Sequence, residues 1–267
     1  MVANVDDCWN VASDVGAPVV VPIGDRYYGL RDFTIADPDG FGIRFATLLD
    51  TPWIGEGTAG SEHTARRPGR SGLRRSCLNP ELEARLVELV RSTAWMMRIL
   101  EAARAVDPPD WLVSAGAIRN LVWDHLHGFS KPTPLKDVDL GFFDANRLDE
   151  GRDVEVGHAL RQLAPEVPWD AKNQAAVHLW YPQVFGVQVE PLSSCADAIG
   201  TFPETATSVG LGLAEDDRIP IAASLGLEDL FGLVCRRNPR RASVSEYRHR
   251  VRTKRIAELW PKVTILE

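Results

Sequence analysis

The chain has 267 residues, 45% of them hydrophobic and 25% charged, with a formal net charge of −7 at pH 7. This is ordinary for one large or two small globular domains, and the bulk charge argues against a nucleic-acid coat or a membrane-surface binder. Four scattered cysteines provide neither zinc-ligand spacing nor a disulfide framework, no apolar run approaches the ~20 residues of a membrane span, and the N-terminus has no signal-peptide pattern, so no membrane partner and a cytoplasmic setting are expected.

Residues 1–50 contain a strand-like "APVVVPI" and then "DFTIADPDGFGIRFATLL". The second stretch predicts two strands joined at Asp37-Pro38-Asp39-Gly40, which is strong turn chemistry. Residues 51–78 are rich in Gly, Ser, Thr and Pro, with five arginines against one glutamate between Thr58 and Leu78. A flexible linker is expected there. From Asn79 the chain reads as folded. Asn79-Pro80-Glu81 starts a helix with a cap and a first-turn proline. Leu82, Leu86, Leu89, Met96 and Leu100 fall near one face, and one helix is expected to stop before Asp107-Pro108-Pro109.

"WLVSAG" then predicts a short strand, and "AIRNLVWDHLHG" a helix stopped by Gly128. "KPTPLKDVDLGFFD" begins as a loop and ends as an alternating strand. A helix around 154–163 and a strand in "EVPWDAKNQ" follow. "SVGLGL" and "RIPIAA" flank Ala214-Glu215-Asp216-Asp217 as a hairpin. Leu227, Leu230, Phe231 and Val234 suit a helix. Ser243 to Glu246 is a capping box for a last helix that ends at Trp260-Pro261. The mixed order makes the class α+β (mixed α/β), a mixed sheet flanked by helices. The expected divisions are a β-rich fragment at 1–50, a linker at 51–78 and the main domain at 79–267.

The alternating strand puts Asp137 and Asp139 on one face, where i and i+2 lie roughly 6–7 Å apart. Two carboxylates that close repel each other, and a hard divalent cation such as Mg²⁺ or Mn²⁺ relieves the repulsion. An Asp-x-Asp alone is more often a solvated strand edge. Two neighbours favour chemistry. Upstream, Gly116 sits where a strand turns into a helix, so a phosphate can approach free N–H groups there, with Arg119 in the first turn. Downstream, Asp170 on a third strand supplies another acid, as metal ligand or general base.

Glycine at a strand-to-helix turn, Asp-x-Asp on the next strand and an acid on a further strand resembles the DNA polymerase beta-type nucleotidyltransferase fold. Residues 79–267 look like a bacterial family of nucleotidyltransferase-like proteins. The matching stretches are "GAIRNLVWDHLHG", "TPLKDVDLGFFD", "VPWDAKNQAAVH", "PETATSVG", "GLEDLF" and "WPKVTI". The resemblance implies a two-metal site using Mg²⁺ (or Mn²⁺), with Asp137, Asp139 and Asp170 as catalytic residues and metal ligands. It also implies nucleotide contacts at Gly116, Ala117, Arg119, Asn120, Lys172 and Asn173. The implied substrate is an NTP, and the acceptor is a small molecule, a protein or RNA. Two departures stand out. The turn reads Gly116-Ala117 rather than Gly-Ser or Gly-Gly, and nineteen residues separate Ala117 from Asp137. They motivate an alternative, a catalytically inactive nucleotide-binding or protein-interaction module with the same fold.

Other residues have plainer readings. Trp123 and Trp169 are expected in the core rather than stacked on a base. His125 and His127, two apart on a helix, point different ways. Glu204 has no evident chemical role beyond bracing the hairpin. Residues 236–255 hold nine basic residues and one acid, either a solvated helix face or a grip on a triphosphate or RNA. Residues 24–49 look like part of a glyoxalase/bleomycin-resistance module, with Ile43-Arg44-Phe45 where such enzymes often place a metal-binding glutamate.

Overall fold

The computed structural model describes residues 4–26, 30–36, 42–48, 78–185, 187–240 and 242–267. The turn expected at 37–40 and the linker expected at 51–78, apart from Leu78, lie outside the described residues. The chain divides into two compact units, residues 1–73 with 180–188, and residues 74–179 with 189–267.

The first unit opens with a helix, α1 (Val5–Asp14), that no sequence expectation anticipated. Its start was readable, since Asn4 Oδ1 accepts from the Asp6 and Asp7 N–H groups, and both acids suit the helix N-terminus. Three strands follow, β1 (Val19–Arg26), β2 (Leu30–Ala36) and β3 (Gly42–Leu48), in an antiparallel β1-β2-β3 sheet. The two strands expected around the 37–40 turn pair in register from Leu30 with Leu48 to Ala36 with Gly42. Val5, Ala12 and Phe33 form a small core, and Phe33 stacks on Phe45 and meets the edge of Trp9.

In the second unit the long helix expected from Asn79 is two helices, α2 (Pro80–Ser92) and α3 (Ala94–Val106). Thr93 between them is extended, with φ −108° and ψ 100°. The hydroxyls of Ser92 and Thr93 both donate to the Leu89 carbonyl, at 3.0 and 2.7 Å. Such local bonds compete with the helical ladder and favour a break. Next come β4 (Leu112–Ser114), α4 (Gly116–His127), β5 (Val138–Phe142), α5 (Gly151–Leu163), β6 (Trp169–Asn173) and α6 (Val177–Phe185). After these lie α7 (Cys195–Ile199), β7 (Gly210–Leu211), β8 (Ile221–Ala222) and α8 (Glu228–Phe231). The chain ends with β9 (Val234–Arg236), α9 (Val244–Thr253), α10 (Ile256–Leu259) and β10 (Thr264–Leu266).

Five strands make one mixed sheet in the order β6-β5-β4-β7-β8. β5 and β6 are parallel and the other neighbours antiparallel. Val138, Leu140 and Phe142 alternate into the core with Ile99 and Leu100 of α3, Ile118 of α4 and Leu160 of α5. The opposite face carries Leu112, Ser114, Asp139, Gly141, Asp170 and Lys172 around a cleft. There α7 covers one end, its Cys195 and Ile199 packed with Leu112.

Two expectations near the C-terminus need correction. Val234 belongs to β9, not to the helix of Leu230 and Phe231, and β9 pairs in parallel with β10, a strand the sequence did not suggest. The last helix has its capping box at Ser243 and Glu246, but it breaks at Arg255, which takes φ 51°. Trp123 and Trp169 are core residues as expected, their indole N–H groups donating to the Leu230 and Ala164 carbonyls. His127 is a brace. Its Nδ1 bonds the Trp123 carbonyl and its Nε2 accepts from the Lys262 N–H.

Candidate active site

The three sequence-predicted acids lie together at the N-terminal ends of β5 and β6. Asp139 lies on β5 between two partners, Ser114 on β4 and Asp170 on β6. Asp137 immediately precedes β5. Burial and the charges of Asp137 and Asp170 together push the Asp139 carboxyl up to about 6. Arg250 and Lys254 pull it the other way without cancelling the effect. Like charges raise a carboxylic pKa only when they are close, so the three acids form one electrostatic group. Asp170 is half exposed and lies 3.8 Å from the Lys172 ammonium, which also reaches Asp153 at 3.7 Å.

The donor chemistry is carboxylate oxygen, which suits Mg²⁺ or Mn²⁺. Among the described residues, however, no group of three or more His, Cys, Asp or Glu is arranged to hold a metal ion. Mg²⁺ ordinarily takes one or two carboxylates and completes its shell with water and substrate phosphates. The row fits a cation shared with phosphates rather than a protein cage.

Beside the acids, α4 begins at Gly116 directly after β4. No side chain caps it, and its first intrahelical bond runs from the Arg119 N–H to the Ala115 carbonyl. The Ala115 N–H is taken by the Val209 carbonyl, while those of Gly116, Ala117 and Ile118 precede the first intrahelical bond, with the helix dipole behind them. The residue that needs glycine-like freedom is Ala115, at φ 57° and ψ −118°. Gly116 itself has negative φ, and a side chain there would meet only the Arg119 Nη2, 4.0 Å away.

Not every predicted contact residue faces the cleft. Arg119 is buried, donating to its neighbour Asn120 and lying over the rings of Trp260 and Trp123 at 5.0 and 5.5 Å. Burial works against its charge, and the nearby Glu204 carboxylate supports it. Ala117 is buried under the helix start. Asn173 is a correction. Its amide oxygen accepts from the Asp144 and Ala175 N–H groups and its amide nitrogen donates to the Asp144 and Arg147 carbonyls. With all four bonds made internally, that side chain braces the end of β6. Lys172 does line the cleft, with Gln174.

Sequence reasoning missed the residues that complete the electrostatics. Glu204 is 2% exposed and accepts from Arg250 Nε at 2.8 Å and Nη2 at 3.3 Å, and from the Thr207 hydroxyl at 2.9 Å. Burial alone would push its carboxyl up, but Arg250, Thr207 and Arg119 outweigh that and hold it low. Asp124, also buried, accepts from the Thr133 N–H and hydroxyl and from the Trp260 indole. Only the acidic residue type within an apolar helix hinted at Asp124, and nothing local pointed to the partner of Glu204.

A family model described as nucleotidyltransferase matches residues 101–265. A search of the curated proteins found no match. Among solved structures, the chain is similar to one described as revealing a CCA-adding enzyme head domain, at 27% sequence identity and a TM-score of 0.59. The likeness covers 69% of this chain and 95% of that one. It carries the α+β mixed sheet and its flanking helices. None of the described helices is long and apolar enough to cross a membrane.

Proposed function

The chain belongs to this nucleotidyltransferase family, and from that premise we propose that it transfers a nucleoside monophosphate from an NTP to an acceptor hydroxyl, releasing pyrophosphate. One observation carries the reading. Asp139 is held among like charges at the edge of an uncapped helix start, an arrangement that costs stability unless a cation and phosphates complete it.

In this reading Asp137 and Asp139 hold a divalent cation, Mg²⁺ or Mn²⁺, with Asp170 beside them. When bound, that cation offsets the charge of the phosphates and polarises the reacting phosphoryl group. The N–H groups at Gly116 and Ala117 receive phosphate oxygens, and Arg119 supports them from below. The acceptor oxygen forms a bond to the α-phosphorus as the bond to the α,β-bridging oxygen breaks. Pyrophosphate leaves with that electron pair. Asp170, half exposed, accepts the hydroxyl proton and passes it to water. The likeness to a CCA-adding enzyme head domain favours a nucleic-acid end as the acceptor.

A binding-only protein is the second reading, favoured by Lys172 beside Asp170 and by Ala115 at the glycine-like turn position. The two separate in one assay. The full chain is incubated with each NTP, Mg²⁺ and RNA or small-molecule hydroxyl acceptors, and pyrophosphate is measured. Release that disappears in Asp137→Asn supports transfer. Nucleotide binding with no release under any condition supports the second reading.

A further inference from the structure

Three acids and three bases form a balanced group beside the uncapped start of α4. Asp137, Asp139 and Glu204 stand against Arg119, Arg250 and Lys254: Lys254 and Arg250 act on Asp139, Arg119 and Lys254 on Asp137, and Arg119 and Arg250 on Glu204. Asp170 has its own partner in Lys172. Loading a divalent cation onto the acids leaves this group with surplus positive charge. A polyphosphate is the natural complement.

The geometry of Arg250 fits that role. Glu204 grips its Nε and Nη2 edge, a two-point contact that fixes the plane of a guanidinium. Among the described residues no hydrogen bond is recorded from its Nη1, and about a third of its side chain is exposed, 37%. Lys254 follows four residues later, at the end of α9, so both cations lie on one helix side. Most other bases of this stretch are spent on surface pairs. Arg236 binds Asp229, Arg240 binds Asp197, Arg248 binds Glu267 and Arg255 binds Glu258. Arg250 is different, because its acid is buried and the Asp139 carboxylate lies near enough to support its charge.

We propose that Arg250 and Lys254 form a clamp for the pyrophosphate portion of the nucleotide, with Glu204 as the positioning residue that aims Arg250. The clamp rests on the transfer reading above, since it grips the part of the NTP that departs. As the bond to the α,β-bridging oxygen breaks, the charge that develops on the departing pyrophosphate falls between these two cations. Glu204 never touches substrate. It sets the guanidinium plane.

The test measures binding of inorganic tripolyphosphate with Mg²⁺ to the full chain by calorimetry, and pyrophosphate release in parallel. Arg250→Lys keeps a charge for Glu204 but loses the fork, so affinity should fall about 10- to 100-fold, the worth of a charge-assisted bond. Lys254→Met, at an exposed position, should cost about 10-fold without harming the fold. Glu204→Gln should weaken tripolyphosphate while Glu204→Asp recovers part of the loss, a pattern that a purely structural Glu204 would not give in folded protein. Unchanged tripolyphosphate affinity in both Arg250→Lys and Lys254→Met, with transfer intact, would overturn the clamp and leave the transfer reading standing. Wild-type protein that binds no tripolyphosphate would also overturn the clamp. Failure of the transfer reading is seen separately, as no pyrophosphate from any NTP.

Discussion

Asp139 concentrates the conflict between stability and chemistry. Its carboxyl titrates near 6 instead of 3.8 because burial and two neighbouring carboxylates disfavour its charge. Between about pH 4 and 6 the native state therefore holds a proton that the unfolded chain has released. Stability falls as pH rises through that window, and the penalty is complete above it. In cation-free buffer, Asp139→Asn should raise unfolding free energy by roughly 1–3 kcal/mol at pH 7.5. The gain should shrink towards pH 4. Denaturant melts at the two pH values measure this, and a loss of stability at pH 7.5 would contradict the electrostatic account. Mg²⁺ should stabilise the wild type more than the variant. The Asp-x-Asp spacing made this residue legible in the sequence. Its burial and its registry with Asp170 were not, because they depend on which strands become neighbours.

At the scale of elements, local signals served well where one residue settles the geometry. Gly128 stops α4 in the left-handed region at φ 72°, with nothing within 4 Å of where a side chain would stand. Gly128→Ala should therefore cost only the backbone strain, about 1 kcal/mol, read from a denaturant midpoint with unchanged slope. A much larger loss would mean hidden packing at that cap. The capping box of α9 and the DPDG-flanked pair β2 and β3 were equally readable. Breaks at Thr93 and Arg255 were not. Apolar periodicity continues across Thr93, and the hydroxyl bonds of Ser92 and Thr93 to the Leu89 carbonyl favour the break instead. Helix α1 was missed although its cap residue and acidic first turn were present.

For the molecule as a whole, the C-terminus builds the site from a distance. Trp260 is 1% exposed, packs edge-to-face on Trp123, donates to Asp124 and lies under Arg119. These partners are separated by well over a hundred residues, as are the two halves of the Lys262 contact with α4. No local pattern encodes such pairs, which explains why the acids and the basic stretch at 236–255 could be read along the chain while the pairing of each base with its acid could not. Trp260→Ala should cost about 3–5 kcal/mol, combining lost apolar volume with the loss of one of the hydrogen bonds to the buried Asp124 carboxylate. It should also weaken nucleotide binding by releasing Arg119. Unfolding melts and nucleotide titration check the two effects, and a variant as stable as wild type would refute the anchoring role.

If the row of Asp137, Asp139 and Asp170 supports nucleotidyl transfer, the α-phosphorus is the one transferred. NTP labelled with phosphorus-32 at either the α or the γ position is incubated with the full chain, Mg²⁺ and RNA. Acceptor labelling is expected from the α position alone, with γ label recovered only as pyrophosphate, and neither in Asp139→Asn. Acceptor labelling from the γ position, or α labelling that survives Asp139→Asn, would contradict that assignment.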